Sequence, residues 1–105
     1  AWCGLTETGA REQKIKIKTA KMPWRSNGRT LTLGRDDGMT KLIIDPDTDR
    51  LLGVAVAGPG AGELIAEGVL ALEMAAVSED LRKSIHPHPT LSETLYETAE
   101  MLFKV

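Results

Sequence analysis

Cysteine and histidine are scarce: the 105 residues include one cysteine, Cys3, and two histidines, His86 and His88. A single cysteine excludes an internal disulfide, a Cys-x-x-Cys redox pair and a thiolate metal cage within the chain. It also suits a reducing, cytoplasmic setting. No apolar run approaches the roughly 18 residues that a membrane helix needs, so no membrane association is expected. Neither sign of charge dominates, since 13 basic and 15 acidic residues give a formal net charge of -2. Without a basic patch to gather phosphates, nucleic acid is not an expected partner. The chain opens Ala-Trp-Cys-Gly with no initiator methionine, basic n-region or apolar h-region. No targeting signal is visible, and a fragment of something longer is the expectation.

What is present reads as one domain over residues 1–105. A 42% hydrophobic and 27% charged composition is that of an ordinary globular chain, and a domain of this size buries roughly 60 to 70% of its unfolded surface. "KIKIK" at 14–18 alternates strictly, which predicts a half-buried strand with Ile15 and Ile17 inward. Residues 2–6 offer a further short strand. In "MPWRSNGRTLTLG", Pro23 and the Ser26-Asn27-Gly28 cluster predict a loop or short helical turn. "MTKLIID" (39–45) and "LLGVAVA" (51–57) flank "PDTD" and predict an antiparallel hairpin.

From Glu63 to Val77 apolar residues surround almost the whole helical circumference, which predicts a helix buried on most sides. Gly68, Ala71 and Ala75 form a small-residue stripe on it. Ser78, followed by Glu79 and Asp80, reads as the cap of a second helix. Thr90 opens a third, in which Leu91, Leu95, Ala99 and Leu102 recur at helical spacing. Strands first and helices last predict an α+β domain: an antiparallel sheet of about four to five strands with helices packed on one face.

Two motifs tempt and fail. "GPGAGE" runs from strand to helix as a phosphate loop would, but a dinucleotide fingerprint on Gly58 and Gly60 needs glycine at 63, where Glu63 stands. That carboxylate would repel a pyrophosphate from the helix start. A tight turn is the better reading, so no cofactor is expected on this chain. "DPDTDR" opens like a calcium loop, but its sixth and twelfth positions are Arg50 and Val56 instead of glycine and glutamate. His86 and His88 lack the further ligands of a zinc site, and no metal is expected.

"HPHPTLSE" at 86–93 carries the chemistry. Thr90 and Glu93 can form a capping box worth about 1 kcal/mol. Alternatively, Glu93 accepts a hydrogen bond from His88, fixing its tautomer and freeing the other ring nitrogen for proton transfer. The spacing permits both.

"HPHPTLSET", with "GELIAEGVLALEMAAVSEDL" and "GMTKLIID" upstream, resembles the C-terminal dimerisation domain of the flavin-dependent disulfide reductases, nearest to their dihydrolipoamide dehydrogenase branch. The likeness covers essentially the whole chain. "MPWRSNGRT" matches a further family pattern, with Met22 and Thr30 as departures. The resemblance implies a homodimer in which His88, oriented by Glu93, is the base for dihydrolipoamide in the other subunit's site. It implies a His88-Pro89 bond that is typically cis, and gives His86 no role. It also implies a parent that uses FAD, NAD and a redox disulfide, all outside this chain, within a 2-oxo acid dehydrogenase complex. The chain alone is then inactive. A glutathione reductase-like parent and a free-standing dimerisation module are the alternatives, whereas the cysteine pair near the C-terminus of mercuric reductases is absent.

Overall fold

In the computed structural model of the protein the described residues are 1–27 and 37–103; Thr30 and the rest of the "GRTLTLG" segment (28–34) lie outside them. Strands β1 (Trp2–Gly4), β2 (Lys18–Pro23), β3 (Met39–Ile44) and β4 (Leu51–Ala57) form one antiparallel sheet in the order β1-β4-β3-β2. The helices are α1 (Glu7–Glu12), α2 (Ala61–Glu73), α3 (Ser78–Lys83) and α4 (Glu93–Phe103).

The β3–β4 hairpin forms where branched residues flank turn chemistry. Asp45 Oδ1 accepts the N–H groups of Asp47 at 2.8 Å and Thr48 at 3.3 Å, a side chain mimicking backbone in a turn. Alternation then sends Leu42, Ile44, Val54 and Val56 into one core with Leu81, Leu95, Ala99 and Leu102, so α2, α3 and α4 share a face of the sheet. Lys41 points the other way and pairs with Glu7 of the short α1, which lies over the opposite face.

The alternating "KIKIK" segment is not the strand. β2 starts at its last lysine and pairs with β3 from Lys18↔Ile44 to Pro23↔Met39. Because β3 gives way to the turn after Ile44, residues 14–17 have no backbone to pair with, and alternation without a partner makes no strand. Instead Lys14 takes a left-handed φ of 56° after α1, and Ile15 is exposed.

Helix α2 also ends earlier than its apolar pattern. Ala75 adopts φ 54° and the N–H of Ala76 reaches back to the Ala71 carbonyl at 3.0 Å, a helix-terminating arrangement that glycine usually supplies. Ala75 therefore leaves the small-residue stripe. Gly68 and Ala71 stay on it, buried against β4, where a Cβ on Gly68 would stand 3.0 Å from Val54 Cβ.

Ser78 does not cap α3. It lies inside the helix with Val77 before it, and the capping carboxylate comes from the hairpin turn. Asp49 accepts the Ser78 hydroxyl at 2.5 Å and the Glu79 N–H at 3.2 Å, while Asp80 accepts the Val77 N–H at 2.9 Å. Opposite its buried stripe, α2 is uncovered: Leu70 is 60% and Met74 72% exposed. Among the described residues, no helix is long and apolar enough to cross a membrane.

Candidate functional site

His88 lies in the irregular segment between α3 and α4, and its bond to Pro89 is cis. Glu93 is the first residue of α4. Both carboxylate oxygens stand by the His88 ring, with Nδ1 at 2.9 Å from Oε1 and 3.0 Å from Oε2. Glu93 Oε1 also accepts the Thr90 N–H at 2.9 Å. One carboxylate thus serves the cap and the imidazole together. The capping box is only half formed, because the Thr90 hydroxyl donates to the Pro87 carbonyl at 2.7 Å instead of accepting from the helix.

A carboxylate at Nδ1 holds the proton on that nitrogen, so the neutral ring presents its lone pair at Nε2. Among the described residues Nε2 has no hydrogen-bond partner, and the His88 side chain is 73% exposed whereas that of Glu93 is 12% exposed. Burial pushes the Glu93 pKa up, but the Thr90 N–H and His88 outweigh it and hold the group below its ordinary value. The site therefore pairs a recessed anion with an outward imidazole.

The start of α4 is fastened by buried polar residues that the sequence reading passed over. Trp24 Nε1 donates to Thr40 Oγ1 at 3.0 Å, and Thr40 Oγ1 shares a hydrogen with Thr94 Oγ1 at 2.7 Å. Asn27, read as part of a loop-breaking cluster, is buried and donates from Nδ2 to the Thr90 carbonyl at 3.1 Å and to Glu97 at 3.0 Å. Their one signal in the sequence was polar residues within or beside apolar patterns. His86, given no role by the resemblance, is the more enclosed histidine. Its Nε2 stands 2.5 Å from Glu67 Oε2, and its ring stacks on Tyr96. A separation of 19 positions between Glu67 and His86 left no local pattern to reveal that pair.

The glycines of "GPGAGE" have structural reasons. A Cβ on Gly58 would meet the Trp24 ring at 2.6 Å, and Gly60 holds φ 79° at the start of α2, a conformation glycine adopts without strain. With Glu63 in the first turn, these residues do not fit a pyrophosphate. Cys3 is half-buried, which raises its thiol pKa against a backbone hydrogen bond from Val54. Among the described residues, no group of three or more His, Cys, Asp or Glu side chains could hold a metal ion.

An antiparallel sheet covered by helices, one helix with an uncovered apolar face, and a histidine-carboxylate pair turned outward define an α+β interface domain. The chain belongs to the pyridine nucleotide-disulphide oxidoreductase dimerisation domain family, which it matches over residues 1–99. It is 56% identical over 104 residues to the dihydrolipoyl dehydrogenase of Thermus scotoductus, covering 99% of this chain and 23% of that protein. Its fold matches the LpdA structure from Mycobacterium tuberculosis with a TM-score of 0.90 at 24% identity, over 96% of this chain and 22% of that one. It also matches the HOCl-induced flavoprotein disulfide reductase RclA of Escherichia coli with a TM-score of 0.89 at 27% identity, over 95% of this chain and 23% of that one. The chain thus spans less than a quarter of the length of each.

Proposed function

We propose that residues 1–105 form the dimerisation domain of a larger, cytoplasmic dihydrolipoamide dehydrogenase that works as a homodimer. Each subunit lends His88 and Glu93 to the active site of the other. The observation that carries this reading is the Glu93 carboxylate bridging His88 Nδ1 while Nε2 faces outward. An imidazole turned out of this domain can serve a group that the domain itself does not supply.

The chemistry follows from that geometry. A thiol is a poor nucleophile and its thiolate a good one, so oxidation of dihydrolipoamide by disulfide exchange needs a base at the attacking sulfur. His88 Nε2 takes that proton, Nδ1 keeps its own, and Glu93 balances the positive charge that results. The proton then passes from His88 to solvent. Thr90 and Asn27 keep the carboxylate and the segment in place while the ring changes charge.

A redox disulfide in the parent would take the electron pair from the dithiol, and FAD bound there would supply the two-electron chemistry that links that disulfide to NAD. The flavoprotein name of RclA supports the flavin, and the dihydrolipoyl dehydrogenase name of the Thermus relative supports the substrate. Gly58 and Gly60 do not fit a pyrophosphate, which supports placing both dinucleotides in other segments of the parent; on this reading the isolated chain is inactive. A 2-oxo acid dehydrogenase complex is the setting in which such a substrate arises. The exposed Leu70 and Met74 of α2 supply apolar surface for the two-fold contact. Such a contact is self-complementary.

Replacing His88 with glutamine in the full-length protein tests the reading. Turnover with dihydrolipoamide should fall by about 10²-fold, within the usual range for a positioned base, with flavin content and dimerisation intact. Unchanged turnover would refute it.

A further inference from the structure

We infer that Glu67 and His86 are a positioning pair for His88, clamping the segment that carries the base onto the helix that carries the dimerisation face. The inference rests on the reading of His88 given above and adds two residues to it.

The segment from Ser84 to Thr90 belongs to no helix or strand, so its course depends on side-chain anchors. Ser84 is tied upstream, its hydroxyl donating to the Asp80 carbonyl of α3 at 2.7 Å. Thr90 is tied downstream through Glu93 and Asn27. Between them Pro87 and Pro89 have no N–H to donate, and the Ile85 side chain is 99% exposed. Between those ends His88 meets Glu93 at the start of α4, and His86 reaches back to α2.

Its hold is close. The His86 side chain is 7% exposed, and each ring nitrogen faces an acceptor: Nε2 meets Glu67 Oε2 at 2.5 Å and Nδ1 meets the Ser84 carbonyl at 3.1 Å. The ring stacks on Tyr96 of α4 with centroids 5.9 Å apart and planes 19° from parallel. A polar ring so enclosed is tolerated because it is hydrogen-bonded.

Glu67 sits on α2 three and seven residues before Leu70 and Met74, spacings that place all three on one helix face. The face that meets a second subunit therefore also holds His86, two residues from the base. A partner pressing on α2 sets the direction of His88 through this pair.

The test uses the full-length holoenzyme with His86→Gln, Glu67→Gln and both together. Each single change should lower kcat with dihydrolipoamide by roughly tenfold, since a misplacement of about 1 Å can cost up to 10²-fold, and KM should hold within about twofold. The double variant should be no worse than either single, because each removes the same contact. Flavin-dependent oxidation of NADH by an artificial electron acceptor, which needs no thiol base, should keep its wild-type rate. Wild-type turnover of dihydrolipoamide in both single variants would overturn the proposal. So would parallel loss of both activities, the mark of a merely structural contact. If His86→Gln does not accumulate, Glu67→Gln decides alone, since it changes a partly exposed carboxylate to an amide of the same shape. A His88→Gln control separates the two readings: its failure to slow dihydrolipoamide turnover refutes the base and the pair with it, whereas a slow control beside two normal single variants refutes only the pair.

Discussion

Gly68→Ala pits two effects of known sign against each other. Alanine is a better helix former than glycine by about 1 kcal/mol in a helix interior, and Gly68 lies in the middle of α2. Against that, the added Cβ would stand 3.0, 3.1 and 3.2 Å from the three side-chain carbons of Val54, where carbon pairs prefer about 3.5 to 4.0 Å. Val54 is buried on the inner strand β4, and a β-branched side chain has little χ1 freedom to yield. Helix α2 must lift instead, at the roughly 1 to 3 kcal/mol typical of overpacking. The clash should win, leaving Gly68→Ala about 1 kcal/mol less stable than wild type. Val54→Ala opens a cavity and should cost about 2 kcal/mol alone; it removes the two Cγ contacts but keeps Val54 Cβ 3.0 Å from the added carbon, so on that background the cost of Gly68→Ala should fall to about zero, propensity and the remaining contact offsetting each other. The coupling is then about 1 kcal/mol. Urea unfolding of the four proteins, followed by far-UV circular dichroism with m-values unchanged, reads it directly. A Gly68→Ala variant more stable than wild type, or one with the same effect on both backgrounds, would refute the close approach of α2 to β4.

Three further outcomes are expected. Because Glu93 is held below its ordinary pKa, the stability it contributes is fully present above the unfolded value of about 4.3 and lost as pH falls through the lower folded value; unfolding series from pH 3 to 6 should lose stability more steeply for wild type than for Glu93→Gln, and equal slopes would contradict the assignment. Asp49→Ala should remove the borrowed cap of α3 at a cost of about 1 to 2 kcal/mol and speed amide exchange at Ser78 and Glu79, with Asp49→Asn milder because asparagine tolerates the φ of 67° there. Leu70→Glu with Met74→Glu changes side chains already exposed, so the fold should persist while concentration-dependent association in sedimentation at micromolar concentration disappears; wild type sedimenting as a monomer throughout would count against the interface.

Much of the fold was legible where a local pattern and its long-range partner agree. The branched runs around "PDTD" announced β3 and β4 because each is the other's neighbour. Leu95, Ala99 and Leu102 announced α4 because a face of helical period has one way to be buried. The pattern misled at "KIKIK", where alternation was present but no strand lay alongside to pair with it. It misled again at Ser78, since Asp49 reaches the helix start from a turn 29 positions earlier. The contact between His88 and Glu93 was readable from their spacing and the resemblance. Glu67, His86, Asn27 and the Thr40–Thr94 contact depend on tertiary approach, which no short window of sequence contains.

The central claim is that the His88–Glu93 pair completes a site on the other subunit, and a mixed dimer tests it most directly. One full-length subunit carries His88→Gln, and the other keeps His88 but has serine in place of a cysteine of the parent's redox disulfide. With the two tagged differently, the mixed dimer can be purified from both parent homodimers. If the pair acts across the interface, one of the two symmetry-related sites in the mixed dimer is intact, and turnover of dihydrolipoamide should return to about half that of wild type while each parent homodimer remains nearly inactive. If the pair serves its own subunit, both sites are broken, and a mixed dimer as inactive as its parents would contradict the account.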